Sequence, residues 1–276
     1  MGAADLTGFL DMRWAFHLGC VEGQLRDGGR HVVRRPEAAS QRESPWPLRR
    51  GPICVFTTGP GWVMSVPDDV VEVARSLCVG SSFEELVSEG DRLQQEWFDQ
   101  MQATGERGAD RGDGGYRVMN SVARPLQLRG WSHYIHSYCD AASWRRRRDA
   151  HVCRIAEDRP EIWEQWQRWA GSMVGARVQE HFEVADAFGY VLDGEIVSAA
   201  QVEAGARDFA WEYGVETLPE FRCRGFATAV VQSVTAFMIE QGRIPWHYCD
   251  AYNRPSVRLP EKAGYFRYGE GLFSAV

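Results

Sequence analysis

Residues 227–241 constrain this chain more than any other stretch. Ala227, Val230, Val231, Val234, Phe237 and Met238 recur at three- and four-residue spacing, which gathers them on one face of a helix. A helix with one apolar face and one polar face has to cover a sheet, and strand-like runs flank it at 209–217 and 244–249. Gly242 supplies the stop. Further upstream a strand is expected at 151–155, a helix at 159–171, and a strand pair at 188–192 and 195–200. Asp193-Gly194 has the chemistry of a two-residue hairpin turn between that pair. Downstream, a helix at 254–263 ends at Gly264, and 265–275 reads as a last pair of strands. The pattern is that of an α/β (α+β) fold.

The first half of the chain is less regular. Residues 1–50 show little periodicity and end in the Pro- and Arg-rich run Ser44-Pro-Trp-Pro-Leu-Arg-Arg-Gly51. Runs at 53–57 and 62–66, joined by Thr58-Gly-Pro-Gly61, predict a hairpin. A helix should follow, with Ser65 and Asp68 at capping-box spacing and Val70, Val73, Ala74 and Leu77 on its buried face. A second helix is expected to start near Ser82, with Glu85 three residues on, and to pass Gly90 towards Trp97 and Phe98. The segment 104–115 holds five glycines among alternating charges and reads as a linker or lid. Length favours two domains, placed at 1–147 and 148–276.

Charge and cysteine usage exclude several function classes. A net charge of −7 gives no basic face on which to neutralise phosphates, so nucleic acid is not expected as a partner. The basic run Arg145–Arg148 reads as a solvated junction. No apolar run is long enough to cross a membrane. The start, Met1-Gly-Ala-Ala-Asp-Leu-Thr7, lacks the pattern of a secretory or myristoylation signal. Seven scattered cysteines, none spaced C-x-x-C, argue for reduced thiols in a cytoplasmic protein and against a structural metal. His133 and His136 have no neighbouring carboxylate or cysteine in sequence to complete a metal site.

The chemistry gathers at Arg222-Cys-Arg-Gly-Phe-Ala227. A turn leading from a strand into a helix exposes backbone N–H groups at the positive end of the helix dipole. Gly225 lets the backbone approach a ligand closely, Ala227 keeps the helix start narrow, and Arg222 and Arg224 add positive charge. A pyrophosphate would fit there. The order strand, R-x-x-G-x-A, amphipathic helix, strand, then Asn253-Arg-Pro-Ser-Val-Arg-Leu-Pro-Glu-Lys-Ala-Gly-Tyr265 resembles the GNAT superfamily of N-acetyltransferases. Arg222, Gly225, Ala227, Asn253, Ser256, Leu259, Glu261, Lys262, Gly264 and Tyr265 match its motifs, and the resemblance covers about 148–276.

The resemblance implies a mixed, mostly antiparallel sheet flanked by helices, with two central strands splayed around acetyl-CoA as cosubstrate and no metal. The N-terminal α/β domain could then be a degenerate GNAT-like half. Val215, Glu216 and Thr217 would pair with the pantetheine arm. Cys223, Arg224, Gly225, Phe226, Ala227 and Thr228 would hold the pyrophosphate beside Arg222, with Asn253 near the reactive end and Ser256 also binding the cofactor. The acceptor would be a primary amine of a small molecule or amino acid, in direct transfer within a ternary complex.

Direct attack needs the free amine and the departing thiolate benefits from a proton. Glu212 and Glu216 are the candidate bases, on one sheet face by their even spacing, with Glu212 preferred. The family often places a tyrosine seven residues after the asparagine, but here that position is Pro260, which cannot donate a proton. Tyr248 and Tyr252 are the nearest alternatives. Cys249 with His247 could be read as a nucleophile pair, but a buried strand cysteine is the simpler meaning. Trp163, Trp166 and Trp169 read as core, or as the wall of an acceptor pocket. Two other functions stay open: a CoA- or acyl-CoA-binding module that has lost transfer, and a peptide or protein N-acetyltransferase. The oligomeric state is open as well.

Overall fold

The computed structural model describes residues 3–37, 51–104, 116–128, 130–156, 159–169, 183–204 and 210–274. The chain forms two compact units that interleave along the sequence. The first contains Met1–Ala3, Ser137–Tyr248 and Arg258–Arg267; the second contains Ala4–His136, Cys249–Val257 and Tyr268–Val276. The expected boundary after residue 147 falls inside the first unit. Among the described residues, no helix is long and apolar enough to cross a membrane.

The second unit begins with helix α1 (Ala3–Leu18), which the sequence reading did not anticipate. Leu6, Leu10, Trp14 and Leu18 are buried on it, a four-residue repeat interrupted by enough polar residues to hide the period. Strands β1 (Arg30–Arg34), β2 (Cys54–Thr57) and β3 (Trp62–Val66) follow. β2 and β3 form the expected antiparallel hairpin, and β1 pairs with β3 in parallel. Residues 38–50 lie outside the described residues.

Helix α2 (Val71–Cys78) starts after a short 3-10 turn at Asp68–Val70. Its predicted cap is corrected, because Ser65 is buried inside β3 and makes no cap. The buried face is also shifted: Val70, Val71, Ala74 and Cys78 are buried, whereas Leu77 is exposed. Helix α3 (Phe83–Thr104) has the predicted capping box, with the Glu85 N–H donating to Ser82 Oγ and the Ser82 N–H donating to Glu85 Oε2. The Gly-rich segment that follows lies outside the described residues. Helix α4 (Arg117–Ala123) and strand β4 (Trp131–Tyr138) complete this half. Trp62, Met64, Phe83, Leu86, Tyr116, Met119 and Trp131 belong to its main core.

In the first unit β5 (Val152–Arg154), helix α5 (Pro160–Trp169), β6 (Glu183–Leu192), β7 (Glu195–Ala204) and β8 (Ala210–Thr217) lead to helix α6 (Phe226–Glu240). β5 to β8 are consecutive antiparallel neighbours, joined at Asp193-Gly194 by a turn with positive φ at both residues. Helix α6 packs Val230, Val231, Val234 and Met238 into the core with Val197, Ala200, Val202 and Tyr213, each such side chain contributing about 1.5–3 kcal/mol by burial. Helix α5 places Ile162 and Trp166 with Ala187, Ile196 and Ala199, as expected of core tryptophans; the Trp169 side chain lies outside the described set.

The expectation of a polar outer face on α6 is corrected. Gln232 and Thr235 are buried, with Gln232 Nε2 donating to Ala263 O and the Thr235 hydroxyl bonded to that of Tyr265. The helix is therefore covered on a second side. The chain ends with β9 (Ile244–Asp250), helix α7 (Arg254–Ala263) and β10 (Phe266–Ser274). One strand thus stands where a pair was expected, and it pairs antiparallel with β2. The fold is mixed α/β, with a mostly antiparallel sheet flanked by helices.

Candidate active site

β8 and β9 run parallel, and their register consists of Ala210↔Ile244 and Trp211↔Pro245. Among the described residues no further pairs continue the ladder beyond Trp211, so the two strands part along Glu212–Thr217. β8 keeps an unbroken register with β7 from Glu203↔Glu212 to Ser198↔Thr217. Side-chain parity is therefore preserved. Trp211, Tyr213 and Val215 pack towards the α6 core, which leaves Glu212 and Glu216 on the opposite face. Paired residues of parallel strands share a face, so Trp246 and Tyr248 of β9 lie on that face too. Glu212 is 4% exposed and Glu216 is half-buried.

The strand leads into the loop that carries the positive charge. Arg222 Nε donates to Thr217 O at 3.2 Å, closing the turn, while the Arg224 guanidinium stands 5.5 Å from the Phe221 ring centre. Both arginines and Cys223 are exposed. Gly225 is the N-cap of α6 with φ of 88° and makes no side-chain cap; the helix has no acidic residue in its first turn. The N–H groups at this end are therefore left to solvent or to an anion. A Cβ at Gly225 would meet nothing within 4 Å. Glycine is required here by backbone conformation rather than by space. Phe226, Ala227 and Thr228 form the first, half-buried turn of α6.

Residues 145–270 match the family model of the GNAT acetyltransferases. The GNAT segment covers somewhat less than half of the chain and includes the diverging strands, the Gly225 loop and α7. No curated protein matches the chain. Among solved structures, an acetyltransferase of the GNAT family from Novosphingobium aromaticivorans is 20% identical, with a TM-score of 0.41 over 54% of this chain and 66% of that one. A GNAT-family acetyltransferase from Colwellia psychrerythraea is 12% identical, TM-score 0.40, over 66% and 72%. A GCN5-related N-acetyltransferase from Kribbella flavida is 18% identical, TM-score 0.40, over 59% and 65%. The chain thus spans about two thirds of the length of the first of these proteins.

Within the GNAT segment, Asn253 has a local duty. Its Oδ1 accepts from the Ser256 N–H at 3.4 Å and its carbonyl accepts from the Val257 N–H, so it caps α7. Pro260 lies inside that helix and is buried. Cys249 and His247 are both buried in β9. The two share one face of the strand, and the His247 ring lies 5.1 Å from that of Tyr213. Arg145–Arg148 are exposed, Arg146 pairing with Glu240, as expected of a solvated junction.

Tyr252 belongs to the second unit, where its hydroxyl donates to Asp91 Oδ1 at 2.5 Å and bonds the Tyr116 hydroxyl at 2.6 Å. Burial first, then the neighbouring Tyr116 and Asp91, push its pKa far up, so it is a poor acid. The same Asp91 oxygen meets His133 Nδ1 at 3.2 Å, and Glu270 Oε2 meets His133 Nε2 at 3.0 Å. The carboxylates beside His133 are distant in sequence: they come from α3 and β10, 42 and 137 residues away. Sequence spacing carried no signal for this cluster. His136 is buried, with its ring near those of Trp14 and Phe56. Among the described residues no cluster of three His, Cys, Asp or Glu side chains could hold a metal.

Proposed function

We propose that this protein is an acetyl-CoA-dependent N-acetyltransferase that acylates a primary amine of a small molecule or amino acid. The observation that carries the reading is the uncapped start of α6 at Gly225, placed directly after a β8 strand that parts from β9. The residues present suit coenzyme A. The amides of Cys223–Thr228 with Arg222 and Arg224 would hold the pyrophosphate, and Val215–Thr217 would pair with the pantetheine arm, with Asn253 near the reactive end and Ser256 also binding the cofactor. Bound acetyl-CoA would supply the thioester that the amine attacks.

Glu212 would serve as base, directly or through water, with Glu216 second. Tyr248 shares their face and takes the role of proton donor in place of Tyr252, whose proton is held by Asp91. The net charge of −7 suits a cationic acceptor, and a cytoplasmic setting suits the seven free thiols.

Calorimetry with acetyl-CoA on the wild type and Gly225→Trp, followed by an amine panel read by release of free CoA, tests this. Loss of binding in the variant with turnover in the wild type is expected. Equal binding by both would remove the site, and binding without turnover on any amine would favour a CoA-binding module. Acetylation of peptides alone would favour a protein acetyltransferase.

A further inference from the structure

Five side chains from separate stretches of the second unit form one hydrogen-bonded chain, buried at Tyr116, Tyr252 and His133 and half-buried at Asp91 and Glu270. His133 sits between two carboxylates with both ring nitrogens in hydrogen-bond range. A neutral imidazole has only one N–H, so with both carboxylates ionised the two contacts are favourable only when the ring is an imidazolium. Removing its proton would set one ring lone pair against a carboxylate and leave Asp91 and Glu270 without the charge that separates them.

The far end of the chain holds a turn. Tyr252 follows β9 and precedes the α7 cap Asn253. Its carbonyl accepts from Gln95 Nε2 at 3.4 Å, and the Ala251 N–H donates to His133 O at 2.8 Å. The only side-chain hydroxyl in 251–253 is that of Tyr252, and it is fixed by Asp91 and Tyr116. Those two are fixed in turn by helix packing, since the Tyr116 ring lies directly on Gly90 of α3.

We propose that Tyr252 is a positioning residue, and that protonated His133, acting through Asp91, anchors the turn at 251–253 in a pH-dependent manner. The titratable groups facing His133 are Asp91 from α3, Glu270 from β10 and Tyr252 from the turn itself; Asp250 acts one step further out, on Tyr116. Burial alone would lower the His133 pKa, but the hydrogen bonds to Asp91 and Glu270 and their charges overcome this and raise it to about 9. The anchor holds at neutral pH and is released above it. The link to activity rests on the acetyl-CoA reading, in which Asn253 belongs to the cofactor site.

The test is NMR of the full chain with 13C-labelled histidine and tyrosine and 15N-labelled backbone, titrated from pH 6 to 10.5. The His133 Cε1 signal is expected to stay that of an imidazolium at pH 7.5 and to titrate near 9, with the Tyr252 Cζ and the 251–253 amides moving at the same midpoint. Glu270→Gln should lower that midpoint by at least about one unit, and His133→Gln should abolish the transition. A neutral His133 at pH 7.5, or turn amides that ignore its titration, would overturn the proposal without any variant being made. Calorimetry with acetyl-CoA at pH 7.5 separates the two readings: absent binding with an intact titration removes the cofactor site and leaves the anchor standing.

Discussion

The hydroxyl of Tyr252 donates to Asp91 Oδ1 across 161 residues of sequence, and this bond gives Tyr252 a structural duty. Replacing Tyr252 by Phe leaves a carboxylate without its closest donor. Hydrogen bonds to charged groups are worth about 1.5–3 kcal/mol, so Tyr252→Phe is expected to lower stability by about that amount in urea unfolding. A variant as stable as the wild type would show that the bond does not hold the turn.

His133 gives the fold a dependence on alkaline pH. Its pKa is raised from 6.5 to about 9 in the folded chain, so the stabilisation is complete below pH 6.5 and is lost as pH rises through 9. The linkage is about 3 kcal/mol. Urea midpoints at pH 6.5, 8 and 9.5 should fall in that order, and His133→Gln should flatten the series.

His17 acts in the opposite direction. Burial first, and then the charge of Arg13, lower its pKa to about 4. The unfolded chain therefore takes up a proton below pH 6.5 that the folded chain refuses until about 4. Stability should decline as pH drops through that window, and His17→Gln should reduce the decline. An unchanged acid limb in that variant would assign the loss to carboxylates instead.

Gly90 lies within α3, where alanine would ordinarily help by about 1 kcal/mol. A Cβ there would sit 2.2 Å from the Tyr116 ring, closer than contact permits. Gly90→Ala is expected to destabilise by about 1–3 kcal/mol through overpacking and to disturb the Tyr116–Tyr252 bond. A raised melting temperature would show that the ring yields freely.

Gly225 offers the reverse case, a positive φ with open space around it. Gly225→Ala should cost about 1–2 kcal/mol for the left-handed backbone and weaken acetyl-CoA binding about tenfold or more in calorimetry. Glu212→Gln and Glu216→Gln, compared by pH–rate profiles, then rank the two bases: loss of the acidic limb in one variant identifies it. Tyr248→Phe should lower the kcat plateau and remove the alkaline limb if its hydroxyl donates the proton.

Much of the first unit was legible because its signals are local. Asp193-Gly194 has the turn that its residue types require, and the 254–263 helix appears with the expected bounds, ending before Gly264. Misreadings arose where tertiary contact overrode a local pattern. Ser65 had the spacing of a cap but was taken into β3, and Gln232 and Thr235, outside the apolar stripe of α6, found partners in Ala263 and Tyr265. Helix α1 was missed because its buried repeat is sparse.

The sequence alone determined the loop Arg222–Ala227 and the helix behind it, since a glycine with positive φ, a narrow first turn and an apolar stripe are properties of neighbouring residues. Only the tertiary structure decided which tyrosine is engaged elsewhere and that His133 lies between two carboxylates. Those pairings join residues 42 to 161 positions apart. Their energies exist only once the chain has folded and excluded water, so no spacing in the sequence could record them.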